Sequence, residues 1–130
     1  MIDILVVDDN LQIRETLRAI LETRPDFHVV GEAIDGIAAS QLAQTLRPKV
    51  VLMDVGMARM DGIEATRQIR ALLPETVVIG MSCHSSRDVE ATLLAVGANA
   101  FIPKEDVPDK IFAVITRELD QQDHVSSGSH

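Results

Sequence analysis

VVLMDVGMARMDG, Val50 to Gly62, runs from four apolar positions into an aspartate and then into a short loop rich in Met and Gly. An ionised carboxylate is costly inside a strand buried on both faces, so Asp54 marks where such a strand leaves the core. The first apolar run repeats the pattern: IDILVVDDN, Ile2 to Asn10, ends in Asp8 and Asp9. Whether these acids meet depends on what joins the strands.

Between the apolar runs lie stripes of helical period. Ile2 to Val7 predicts a buried strand. Asn10 is placed to cap a helix whose Ile13, Leu17, Ile20 and Leu21 follow an i, i+4, i+7, i+8 stripe, broken by Arg24-Pro25-Asp26. Phe27 to Glu32 predicts a second, edge-side strand. Asp35 caps a helix with Ile37, Ala38, Leu42 and Leu46 on its apolar side, stopped before Pro48. Val50 to Met53 is the third strand, and a helix over about 61–73 follows, with Ile63, Ala65, Thr66, Ile69 and Leu73 facing the core. Val77 to Met81 is the fourth strand. Arg87 to Val96 is helical, with Gly97 as a left-handed C′ residue. Ala100 to Ile102 is the fifth strand. Pro108 opens the last helix, which carries Ile111, Phe112, Val114, Ile115 and Leu119.

Regular βα alternation predicts a parallel sheet with helices on both faces and right-handed crossovers. Five units suit an α/β, flavodoxin-like doubly wound (βα)5 fold with a five-stranded parallel sheet in the order 2-1-3-4-5. One domain is expected over residues 1–121. Residues 122–130 form a polar tail expected to be disordered, and SSGSH reads as a remnant of an expression tag.

At 130 residues, 46% hydrophobic and 25% charged, the chain has the composition of a globular protein with a full core. No run approaches the roughly 20 apolar residues needed to span a membrane. The start MIDILVVDD lacks a basic leader and the lone Cys83 cannot form an internal disulfide, so a cytoplasmic protein is expected. A net charge of −8 argues against a general nucleic-acid binder, and with Phe as its only aromatic type the chain lacks stacking platforms.

In an open doubly wound sheet, ligands bind beyond the carboxyl ends of the strands, near the switch in strand order. Asp8 and Asp9 end the first strand, Asp54 the third and Ser82 the fourth, while Lys104 follows the fifth. Under the expected order all five meet on one rim. Three clustered carboxylates need a compensating cation, and a hard divalent ion with oxygen ligands fits: three carboxylates, one ammonium and one Mg²⁺ sum to zero. Open coordination positions would suit a phosphoryl oxygen. Asp54 then reads as a nucleophile, Lys104 and Ser82 as partners of phosphoryl oxygens, and Gly56 as a backbone carbonyl ligand of the metal.

At these residues the chain resembles the receiver domain of two-component response regulators, over about Ile2 to Leu119. VVDDN is similar to the family's acidic pair, LMDVGMARMDG to its phosphoacceptor loop, GMSCH to its hydroxyl position and GANAFIPKE to its aromatic and lysine positions. The resemblance implies that Asp54 is the phosphoacceptor. It implies that Asp9 binds Mg²⁺ directly, Asp8 mainly through water and Gly56 through its carbonyl. Ser82 and Phe101 would be the switch hydroxyl and aromatic, and Lys104 the phosphate-pairing lysine, although Phe101 reads equally as a core aromatic. It also implies a histidine kinase as phosphodonor and a homodimer on phosphorylation.

Two positions depart from the pattern and two others tune it. Ala58 stands where proline is usual, and Cys83 where a smaller residue is commoner. Together with His84 and Gly56, these bear on the lifetime of the phosphoryl group. GEAIDG and DGIEATRQIR further resemble receivers joined to LuxR-type helix-turn-helix domains, so a DNA-binding output absent from this chain is expected. The principal rival is a receiver-like module that binds proteins without phosphorylation. A flavodoxin would need a phosphate-cradling loop after the first strand, a dehalogenase-type phosphatase a second acid where Gly56 stands, and a nucleotide hydrolase a Walker loop. None is present.

Overall fold

The computed structural model describes residues 1–55, 60–83 and 87–128, with only the backbone of residues 60, 61 and 123–128. Its elements alternate as β1 (Ile2–Val7), α1 (Leu11–Leu21), β2 (Phe27–Ala33), α2 (Gly36–Leu46), β3 (Val50–Asp54), α3 (Met60–Leu72), β4 (Val77–Ser82), α4 (Arg87–Ala95), β5 (Ala100–Pro103) and α5 (Val107–Gly128). The strands form one parallel sheet in the order β2-β1-β3-β4-β5. This is the expected doubly wound fold.

The central strands are apolar throughout because both of their faces are covered. On one face, Leu17 and Leu21 of α1 and Ile111 and Ile115 of α5 pack with Ile4, Val6, Leu52 and Ile79. On the other, α2, α3 and α4 contribute Ala39, Ala43, Ala65, Ile69 and Leu93 against Leu5, Val7, Val51, Met53 and Val78. Gly80 of β4 lets α4 approach closely: a Cβ there would meet Leu93 Cδ1 at 2.6 Å.

The predicted caps are present. Asn10 accepts from the Ile13 N–H at 3.1 Å and Asp35 from the Ala38 N–H at 2.8 Å. Gly97, with φ of 111°, ends α4 in the left-handed region. Ile37, expected in the core, is 69% exposed. The buried side of α2 is made instead of Gly36, Ala39, Ser40 and Ala43, and the Ser40 hydroxyl meets Gln68 of α3 at 3.1 Å. These small residues seat α2 close to its neighbours, which turns the bulkier Ile37 outward.

The β2 strand carries an irregularity that the sequence pattern did not announce. Ile4 pairs with Val29 but Leu5 pairs with Gly31, so Val30 is an extra residue in the ladder. Phe27 and Val29 therefore face α1, whereas Ala33 faces the opposite layer. The α5 helix runs to Gly128, so the backbone from residue 122, expected as the start of a disordered tail, is helical as far as residue 128.

Candidate functional site

The ends of β1, β3, β4 and β5 deliver the elements of the site. Ile4 to Val7 are at most 2% exposed, and the chain leaves the core at Asp8, whose N–H extends the ladder to the Ala33 carbonyl at 3.0 Å. The Asp8 side chain is fully buried. Its Oδ1 accepts the Asn10 N–H at 2.9 Å and its Oδ2 accepts the Lys104 ammonium at 2.8 Å. Asp54 is the last residue of β3, and the Val55 N–H after it is tied to the Met81 carbonyl at 2.8 Å. Ser82 ends β4, 2% exposed and in register with Pro103. Lys104 opens the 3₁₀ turn Lys104–Asp106 that follows β5.

Lys104 bridges two of the acids, with Nζ 2.8 Å from Asp8 Oδ2 and 3.2 Å from Asp54 Oδ1. Partial burial alone would lower its pKa, but the hydrogen bond to Asp8 and the charges of Asp54 and Asp8 outweigh that, and the net shift is upward. The ammonium is therefore charged at neutral pH. Carboxylate oxygens of Asp8, Asp9 and Asp54 lie within 4.8 Å of one another, with Asp8 buried, Asp54 half-buried and Asp9 exposed. The three carboxylates lie close enough to share one ion, and the donor set is all oxygen. Both features fit a hard divalent cation such as Mg²⁺.

The sequence-predicted residues Asp8, Asp9, Asp54, Ser82 and Lys104 thus come to the same rim. Phe101, half-buried on β5, packs against the α2–α3–α4 side of the core. Gly56, Ala58 and His84 lie outside the described residues, and Cys83 is exposed.

The sequence reading missed a second polar cluster beside the site. Glu32 of β2 accepts Arg14 Nε at 2.9 Å on one carboxylate oxygen and Arg18 Nη2 at 2.7 Å on the other. The Arg18 hydrogen bond, with help from Arg14 and against burial, holds the Glu32 carboxyl below its ordinary range. The available signal was a lone acid inside the apolar run FHVVGEA, opposite two arginines spaced i, i+4 on α1.

Residues 4–116 match the response regulator receiver domain. The chain is 40% identical over 120 residues to a protein-glutamate methylesterase/protein-glutamine glutaminase of Pyrococcus abyssi, covering 91% of this chain and 32% of that protein. It is 34% identical to the transcriptional regulatory protein YhcZ of Bacillus subtilis, covering 89% of this chain and 53% of that one. It therefore spans about a third to a half of these relatives. The receiver of Thermotoga maritima CheB superposes with a TM-score of 0.81 at 31% identity, covering 92% of this chain and 97% of that one. A LuxR-family response regulator from Aurantimonas sp. gives 0.85 at 30%, covering 92% and 85%. With the expected sheet order, strand-end acids and bridging lysine in place, the chain belongs to the response regulator receiver domains of two-component signalling.

Proposed function

We propose that this receiver accepts a phosphoryl group on Asp54 from the phosphohistidine of a cognate histidine kinase. The observation that carries the reading is the single ammonium of Lys104 held between Asp8 and Asp54. A carboxylate oxygen of Asp54 attacks phosphorus, the P–N bond to the kinase imidazole breaks, and the imidazole leaves with the bonding electrons. Lys104, already charged and poised at Asp54, pairs with a phosphoryl oxygen as charge moves onto the group. The Ser82 hydroxyl, at the end of the adjacent strand, donates to another.

Asp8, Asp9 and Asp54 would hold Mg²⁺ together with the Gly56 carbonyl. When bound, the ion would supply charge neutralisation for the transferring group. Withdrawal of Ser82 and Lys104 toward the phosphoryl group shifts the packing of Phe101 and hence the α4–β5–α5 surface, a switch driven by local charge. In this reading the chain is a phosphoacceptor signalling domain, folded over residues 1–121, and not an enzyme acting on a separate substrate. It acts in the cytoplasm and forms a homodimer on phosphorylation, with no nucleic-acid or membrane contact of its own.

The output proposed is a DNA-binding domain, supported by the transcriptional regulators among its relatives and by the LuxR-family neighbour. The methylesterase relatives favour a catalytic output as a second reading. Intact mass after incubation with acetyl phosphate and Mg²⁺ tests the phosphoryl chemistry. One added phosphoryl group is expected, lost with Asp54→Ala or with chelator. No addition, and no binding of a fluoroberyllate mimic, would favour an interaction module that works without phosphorylation.

A further inference from the structure

The extra residue at Val30 turns Glu32 toward α1, while its neighbour Ala33 joins the opposite layer. There Glu32 anchors Arg14, whose side chain is only 12% exposed and whose Nη1 reaches on to the Asp8 backbone carbonyl at 2.7 Å. That carbonyl belongs to the peptide joining Asp8 to Asp9, so its orientation sets the direction in which Asp9 leaves the strand. The other elements of Asp8 are already fixed: its N–H by Ala33, its carboxylate by the Asn10 N–H and Lys104. Arg14 therefore fixes the remaining acceptor of Asp8, the carbonyl on the Asp9 side.

We propose that Arg14, held by Glu32 across the β2 bulge, is a positioning residue that sets the spacing of the Asp8 and Asp9 carboxylates for a divalent cation. The proposal rests on the reading that these acids hold Mg²⁺. Charge alone makes the opposite forecast. A guanidinium beside the loop repels a dication, so its removal would tighten Mg²⁺ binding if electrostatics were its only contribution. Through geometry, its removal loosens the peptide between the acids and weakens binding. The sign of the change separates the two roles. Glu32 serves twice, orienting Arg14 and cancelling its charge, while Arg18 shares Glu32 but reaches the Val29 carbonyl instead of the acidic loop.

The test is calorimetric titration of the full chain with MgCl₂, with circular dichroism confirming the folded fraction. Arg14→Met, which keeps the stem and removes both donor and charge, is expected to weaken Mg²⁺ binding about tenfold, the scale of losing a residue that orients a metal ligand. Glu32→Gln should also weaken it, and Arg18→Met should bind near the wild-type affinity. If Arg14→Met fails to fold, Arg14→Lys carries the test with the same expected loss, since an ammonium cannot serve Glu32 and the Asp8 carbonyl with a planar fork. Wild-type or tighter binding by the folded Arg14 variant overturns the proposal alone. A wild-type protein that binds no Mg²⁺ overturns the metal reading and this inference with it.

Discussion

Lys104 and Asp8 stand 96 positions apart in sequence, yet the ammonium of one lies 2.8 Å from a carboxylate oxygen of the other. The Asp8 side chain is fully buried, and Lys104 is its principal countercharge. Lys104→Met should therefore destabilise the fold by about 2 kcal/mol, less than the roughly 3–5 kcal/mol of breaking a fully enclosed pair because this rim is open to water. Urea denaturation at neutral pH measures it. Added Mg²⁺ should restore part of the loss, and an unchanged midpoint would show that Lys104 is not needed to offset the acid.

The clustering of three carboxylates on the rim predicts that Mg²⁺ stabilises the protein. At tenfold excess over its Kd the gain is about 1.4 kcal/mol, a rise of roughly 5 °C in Tm for a chain of this size. Asp9→Ala should abolish most of that response. Asp54→Asn should raise the Tm of the metal-free protein by relieving repulsion and should shrink the Mg²⁺ shift. A thermal scan of the three proteins with and without MgCl₂ decides both.

Glu32 gives a pH signature. Its carboxyl is held below the ordinary 4.5 by the Arg18 hydrogen bond and by Arg14. A depressed folded-state pKa contributes stability above the unfolded value and loses it as pH falls through the folded one. The wild type should exceed Glu32→Gln by about 1 kcal/mol at pH 7, with the gap closing only below pH 4.5. Urea midpoints of the pair from pH 7 to pH 3 measure it, and a constant gap would contradict the assigned cause.

Gly80→Ala should cost about 1–2 kcal/mol, because the added methyl meets the end of Leu93 and pushes on α4. In a Leu93→Ala background the same substitution should be close to neutral. A double-mutant cycle by chemical denaturation reports the coupling, and additive costs would mean that the contact is not the reason for glycine.

Most of this arrangement was legible in the sequence because apolar runs, caps and breakers agree. Asn10, Asp35 and Gly97 each act as their chemistry suggests. Asp8, Asp54, Ser82 and Lys104 could be brought together because parallel strands share one carboxyl end. Ile37 misled because hydrophobicity favours a large side chain, whereas the tight seating of α2 favours Ala39 and Ala43. Arg14 and Glu32 escaped notice because their meeting depends on the Val30 irregularity. A period-two reading without that extra residue would give Glu32 and Ala33 the opposite faces.

The strand order carries a consequence for how the protein is made. After β1 and β2 pair, β3 lands on the other edge of β1, β4 on β3, and β5 on β4, each in the order of synthesis. A chain emerging from the ribosome can thus add strands to an open edge without rearranging those already laid down. The acids at positions 8, 9 and 54 emerge early, and the ammonium at 104 arrives with the final strand. Until then Asp8 lacks the ammonium that faces it in the finished fold, and the sheet is completed only when the last strand brings that charge to its acidic end.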